Sequence, residues 1–406
     1  DGLSALYYAC RDNHVSIVKA LLDSRPMSDM GIIQESADVH SPLHIAAAHG
    51  NDEVVQLFID RYEVPPQHLQ DDAVDLSPFL SQNKNGYSTL MIAVLYGRPN
   101  VLKRFLQSDK MTPDCLRLQS KEEGTIFEMI CWFDPVFEKF VDPRSQIEKS
   151  EIEIEILKLL LESPFLSEQD INIRNEVGIT PLFSAVVAGK LAKVELMLQN
   201  SRITNADVQT ETNCGTTAVW MAARLGHVDI LKAFVNSGKV SQRDFNLQPS
   251  GELRDDSGEL CDGQRLTKKT GLFWAVEEGH FDTVEYLLTQ MTPEGIMLPD
   301  DSGQTPLHIA AYLGNDEVVQ LFIDHEKILP QHLHLKNGKG FSALMIASFT
   351  GHVNVVKILL QSDKITQESL SSVVTDTMGS NAFHLAAFHN QPDVVQAFLE
   401  SSKGAQ

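Results

Sequence analysis

The sequence lacks the marks of several common protein classes. Its 406 residues hold five cysteines: Cys10, Cys115, Cys131, Cys214 and Cys261. The number is odd, the spacing is wide and no C-x-x-C pair occurs, which argues against a disulfide framework or a zinc site and for a reducing compartment. No N-x-[ST] acceptor is present. No apolar run approaches the ~18 residues needed to span a bilayer, and there is no signal-peptide pattern. A cytoplasmic place, or the cytosolic part of a larger protein, is therefore expected. Basic residues are scarce: 33 Lys and Arg stand against 55 Asp and Glu, a net charge of −22. Such a chain repels phosphate backbones and anionic membrane surfaces, so neither nucleic acid nor membrane is an expected partner. The charge suits basic partners, or serves solubility alone.

Catalytic signatures are missing too. There is no G-x-x-x-x-G-K-[ST], no G-x-G-x-x-G after a strand, no H-E-x-x-H and no G-x-S-x-G, so no catalytic residue, cofactor or metal is expected. The acidic stretch 255–263 (DDSGELCDG) lacks the spacing of a calcium loop and reads as a solvated loop. The EIEIEI run from Glu151 reads as the start of a surface helix rather than a carboxylate site.

What the chain does have is self-similarity. Residues 41–70 (SPLHIAAAHGNDEVVQLFIDRYEVPPQHLQ) and 305–334 (TPLHIAAYLGNDEVVQLFIDHEKILPQHLH) agree at 21 of 30 positions. The stretches from Ser88 and Ser342 match next, at an offset of 254 rather than 264, which implies duplication of a multi-repeat block with about ten residues gained near Asp71 to Leu80. The relaxed pattern [ST]-x-L-x-x-A-x-x-x-G finds ten copies, opening at Ser4, Ser41, Ser88, Thr125, Thr180, Thr217, Thr270, Thr305, Ser342 and Asn381. The copy at Thr125 is degenerate, and its second helix is expected at Glu151 to Ser163, displaced by an insert.

Each copy reads as two helices. Ser or Thr is an N-cap, and Pro after it suits the first helical position. Small residues such as Ala46 and Ala47 allow close packing, and a glycine from Gly50 through Gly351 ends the first helix in a left-handed turn. A second amphipathic helix follows, then a polar loop. One such pair cannot bury its own apolar face, whereas stacked neighbours can.

These residues resemble the ankyrin repeat family, whose hallmark is T-P-L-H-x-A-A followed by G-H. The matches are S-P-L-H-I-A-A at 41–47, T-P-L-H-I-A-A at 305–311, T-P-L-F at 180–183, N-A-F-H-L-A-A at 381–387 and the Gly-His pairs 226–227, 279–280 and 351–352. The resemblance implies an all-α solenoid of stacked helix-turn-helix units with long finger loops. It covers approximate repeats 1–37, 38–84, 85–121, 122–176, 177–213, 214–266, 267–301, 302–338, 339–377 and 378–406, with irregular inserts near 134–150 and 237–269 where partial disorder is expected. The sequence leaves open whether the array runs on through the insert after Asp134. His44, His308 and His384 occupy the H of the motif and are expected to be structural, since other copies carry Tyr7, Met91, Phe183 or Trp220 there.

The duplicated copies also point to a surface. Between 42–60 and 306–324 only Ala48-His49 against Tyr312-Leu313 differ. This pair ends the first helix, which in the family faces the concave surface. Read down the array it gives Arg11-Asp12, Leu95-Tyr96, Trp132-Phe133, Val187-Ala188, Arg224-Leu225, Glu277-Glu278, Tyr312-Leu313, Phe349-Thr350 and Phe388-His389. The candidate protein-binding residues are Leu95, Tyr96, Trp132, Phe133, Arg224, Glu277, Glu278, Tyr312, Leu313, Phe349, Phe388 and His389, because aligned exposed aromatics mark contact surfaces. The competing reading has the fingers folding over them as core. A basic, apolar protein or peptide partner is expected. The alternatives are a gating or assembly domain of a larger protein, or a substrate-recruiting region of an enzyme. The irregular repeats and the copy TIFEMI at 125–130 loosely resemble the cytosolic array of transient receptor potential ankyrin channels. The first residues Asp1-Gly2 and the uncapped last copy suggest a fragment whose terminal copies fray.

Overall fold

The computed structural model describes residues 4–24, 41–62, 79–121, 124–132, 146–254, 260–374 and 379–401. The chain divides into two compact units, Asp1–Asn175 with Thr180–Ile203, and Glu176–Ile179 with Thr204–Gln406. Among the described residues each unit is a stack of five helix pairs.

In the first unit the pairs are α1 (Ala5–Arg11) with α2 (Val15–Ser24), α3 (Pro42–His49) with α4 (Asp52–Arg61), α5 (Thr89–Leu95) with α6 (Pro99–Leu106), α7 (Ile126–Trp132) with α8 (Gln146–Glu162), and α9 (Pro181–Val187) with α10 (Leu191–Gln199). In the second they are α11 (Ala218–Arg224) with α12 (Val228–Asn236), α13 (Gly271–Glu277) with α14 (Phe281–Gln290), α15 (Pro306–Leu313) with α16 (Asp316–Asp324), α17 (Ala343–Thr350) with α18 (Val353–Gln361), and α19 (Ala382–Phe388) with α20 (Pro392–Glu400). Within each unit every first helix packs on the next first helix and every second helix on the next second helix. The first unit therefore runs on through the insert after Asp134, because α5 packs on α7 and α7 on α9.

The predicted caps form. Ser41, Ser88, Thr180, Thr217 and Thr270 each accept a hydrogen bond from the backbone N–H three residues on, at 3.2–3.3 Å. This satisfies a donor that the first turn leaves unpaired. At the other end Gly314 has φ +71, and a Cβ there would collide with the His352 ring. Glycine is thus needed for conformation and for space. In the first and last copies Asn13 (φ 57) and Asn390 (φ 54) take the left-handed position instead. The residue after that turn then crosses to the preceding copy. The side-chain N–H of Asn51 donates to the Cys10 carbonyl at 2.8 Å, Arg98 Nε–H to Ala48 at 2.8 Å, and His352 Nε2 lies 2.8 Å from the Tyr312 carbonyl.

The fingers correct the sequence reading. They are not plain loops: most carry a one-turn helix, at Asp114–Arg117, Glu168–Ile171, Asn205–Val208, Gln242–Phe245, Pro293–Ile296, Pro330–His334 and Gln367–Ser371. Several open on a capping box, with Ser167, Thr204 and Ser241 hydroxyls donating to Asp170, Asp207 and Asp244 at 2.6–2.8 Å. The span 237–269, expected as a partly disordered insert, contains one of these helices and an antiparallel hairpin, β3 (Ser250–Arg254) with β4 (Leu260–Thr267). A shorter hairpin, β1 (Gln119–Ser120) with β2 (Gly124–Thr125), precedes α7. Of the other insert, 146–150 opens α8 and 134–145 lies outside the described residues.

The EIEIEI run is helical as expected, though it lies inside α8 rather than at its start, and Glu151 and Glu155 are exposed. The difference is Glu153, which is buried and paired with Lys193 of α10 at 2.6 Å. Among the described residues no helix is long and apolar enough to cross a membrane.

Candidate functional site

In the last three copies the pair that closes the first helix lies at the rim of the core, whereas Ala48 at the same position of α3 is buried, 4% exposed. Three residues before its first member the side chains are covered: Ile309 is 7% and Ile346 is 7% exposed. At the closing pair in the second unit exposure rises to 56% at Tyr312, 46% at Leu313, 40% at Phe349 and 83% at Phe388. His389 is exposed as well. Positions three apart share one face of a helix, so the contrast marks the place along it: Tyr312 and Phe349 stand in the last turn.

Three of these residues meet. The Phe349 and His389 rings are 4.1 Å apart, and Phe388 and His389 are 5.0 Å apart, both edge to face. Phe341, from the finger before α17, stands edge-on to Phe349 at 6.3 Å. The finger therefore reaches Phe349 but does not cover it. Phe341 was outside the sequence-derived set. Its signal was its place immediately before the capping Ser342. Leu335 and Val373 are exposed apolar side chains on successive fingers.

The charged members stand in the two copies before this patch and are partly engaged. Arg224 lies over the Trp274 ring at 4.5 Å. Glu277 binds Lys269 at 2.6 Å, while Glu278 is exposed. Trp220, Trp274 and Lys269 form a cluster that pattern reading did not find, because their pairing requires the stack. In the first unit Leu95 and Tyr96 are half-buried, and burial raises the Tyr96 hydroxyl pKa. Trp132 is 39% exposed at the end of α7. Phe133 lies outside the described residues.

Candidate chemical groups are placed structurally. His308 is 1% exposed. Its Nδ1 accepts from the Thr305 backbone N–H at 3.0 Å, so the proton sits on Nε2, which faces the Leu335 carbonyl at 3.0 Å. The imidazole ties the start of α15 to the following finger. Burial lowers its pKa to about 4. His44 pairs with the Ser41 hydroxyl at 2.9 Å, and His384 accepts from the Asn381 N–H at 3.4 Å. Burial raises the thiol pKa of Cys10 and of Cys131 to about 12, so both stay protonated. Among the described residues no group of His, Cys, Asp or Glu could hold a metal ion.

Comparison with known proteins agrees with this architecture. The family described as "Ankyrin repeats (3 copies)" matches residues 6–116, 149–246, 253–332 and 326–406. A curated relative, "Ankyrin repeat-containing protein ITN1" of Arabidopsis thaliana, is 35% identical over 101 residues, which cover 22% of this chain and 17% of that protein. This chain therefore matches a small part of that relative's length. Two solved structures share a TM-score of 0.41. The ankyrin repeat protein EF0377 is 20% identical, covering 56% of this chain and 100% of that one. An ankyrin repeat domain (ABAYE2397) from Acinetobacter baumannii AYE is 15% identical, covering 54% and 97%.

Proposed function

The chain belongs to the ankyrin repeat family, and from that premise we propose that it is a non-catalytic scaffold that holds a partner protein segment. The segment lies on the face formed by the ends of the first helices, the concave face in this family, and on the adjoining fingers. One observation carries the reading: Tyr312, Phe349 and Phe388 are exposed at the same position in three successive copies. Leaving three large aromatic side chains in water forgoes burial worth about 1.5–3 kcal/mol each. Aromatic anchors of this kind dominate interface energetics.

The charge pattern supports a basic, apolar partner. Glu278 is exposed beside the patch and the chain carries a net charge of −22. Opposite charge on the partner would speed and orient its approach. His308 and the buried thiols of Cys10 and Cys131 are spent on structure, which supports a binding role rather than an enzymatic one.

The test is affinity capture from cytosolic extract with the natural chain and with the triple variant Tyr312→Ala, Phe349→Ala and Phe388→Ala, after circular dichroism shows equal folding. A partner held by the natural chain and lost by the variant is expected. Equal capture by both would reject the surface.

A further inference from the structure

Junctions between copies in the second unit are sealed in two repeated ways. Thirteen residues after the capping Ser or Thr, the second helix presents an apolar side chain, and Val318 and Val355 are fully buried there. This position faces the preceding copy: its counterpart in the first copy, Ile17, is 51% exposed. Twenty-two residues after the cap, a cation reaches the carbonyls that end the preceding second helix. Lys327 Nζ donates to Leu288, Thr289 and Met291 at 3.1, 2.7 and 2.8 Å, and Lys364 Nζ to Ile323 and His325 at 2.6 and 2.8 Å. Lys110 and Arg202 do the same within the first unit. A cation there complements both the unpaired carbonyls and the helix dipole.

The junction between the copies opening at Thr217 and Thr270 departs from both rules. Thr283 occupies the apolar position, 1% exposed, and its hydroxyl has no hydrogen-bond partner among the described residues. Thr292 occupies the cation position and accepts from its own Gly295 N–H at 3.0 Å. The end of α12 is closed locally, by Ser237 Oγ–H donating to the Phe234 carbonyl at 2.6 Å, which ties nothing to the next copy. Two more buried polar atoms without partners among the described residues fall at the same junction. One is the indole N–H of Trp274, 3% exposed, and the other is Asn246 Oδ1, which presses on Gly295 so closely that a Cβ there would collide with it. Buried polar atoms without partners are scarce in folded proteins because each keeps its desolvation cost. Hairpin β3–β4 also interrupts the chain between these two copies. The first-helix ends, by contrast, are held. Arg224 stacks on Trp274 at 4.5 Å, Trp220 meets Trp274 edge-on at 6.4 Å, and Trp220 Nε1–H donates to the Lys269 carbonyl at 3.0 Å.

We infer that this junction is a hinge inside the second unit, which opens between α12 and α14 while the Arg224–Trp274 stack keeps α11 and α13 together. The hinge rests on these side chains and is independent of the partner surface. Mechanically, it lets the second unit flex between these two copies.

Hydrogen exchange of the whole chain tests it. Amides of α12 and of the first turns of α14 should exchange about tenfold faster than their counterparts in α16 and α18, because local opening sets the rate. Thr283→Val with Thr292→Lys, which restores both seals, should slow them to the rate of those counterparts. Thr283→Val alone removes only the orphan hydroxyl and should slow them in part, so the test survives if Thr292→Lys disturbs the finger. Lys327→Thr should create a second fast junction between α14 and α16. Equal protection from α12 to α18 in the natural chain, or no slowing with either sealing variant, would overturn the hinge.

Discussion

The Lys193 ammonium lies 2.6 Å from a Glu153 carboxylate oxygen, and both side chains are almost wholly buried, at 3% and 7% exposure. Lys193 also donates to the Ile130 carbonyl at 2.7 Å. It stands where most other copies carry Val or Ile and one carries Thr283, and it joins three helices, α7, α8 and α10. The pair anchors the displaced second helix of the degenerate copy.

Removing one partner leaves the other charged and buried. Lys193→Ala should cost about 3–5 kcal/mol, while Lys193→Met combined with Glu153→Leu should be close to neutral. Urea denaturation of the first unit's signal checks both. A small loss in the single variant would show that the pair is not buried in solution.

His308 gives an acid-sensitive seam. Its folded pKa of about 4 lies below the ordinary 6.5, so the unfolded chain binds the proton more readily. The stabilising contribution is whole above pH 6.5 and is lost as pH falls from 6.5 towards 4. The full loss is about 3 kcal/mol. His308→Gln should flatten the dependence of the denaturation midpoint between pH 7 and 5. An unchanged slope would contradict the assignment.

Two helix-ending glycines separate conformation from space. Gly279 has φ +78 with open space where a Cβ would stand, whereas Gly314 has φ +71 with the His352 ring in that space. Asn tolerates the left-handed region, as Asn13 and Asn390 do here. Gly279→Asn should therefore cost less than about 1 kcal/mol and Gly314→Asn clearly more. Equal thermal shifts for the two would reject this.

Much of this was legible before any coordinates. Helix pairs, caps and the closing glycines follow from local patterns, because each is set within a few residues. The exposed closing pair was legible because two near-identical copies differ there and nowhere else along 42–60. The one-turn finger helices had a signal in S-E-Q-D, T-N-A-D and S-Q-R-D, yet they fall outside the ten-residue pattern that defines the copies. Asn13 and Asn390 hide from a search for glycine because a second residue type can take the same turn. The pairings Lys193–Glu153 and Arg224–Trp274 join residues 40 and 50 positions apart. Only the stack brings them together, so no local pattern encodes them.

The partner surface should also depend on ionic strength. If Glu278 meets a basic partner, raising salt should slow association more than it speeds dissociation. Glu278→Lys should weaken binding with the fold unchanged. Salt-independent association would remove the electrostatic part of the proposal and leave the aromatic part standing.

The most direct measurement is a hydrogen-exchange footprint of the chain alone and with its captured partner. The account predicts new protection at the ends of α15, α17 and α19, around Tyr312, Phe349 and Phe388, and on the fingers carrying Leu335 and Phe341. Protection confined to the second helices α16, α18 and α20 would contradict it.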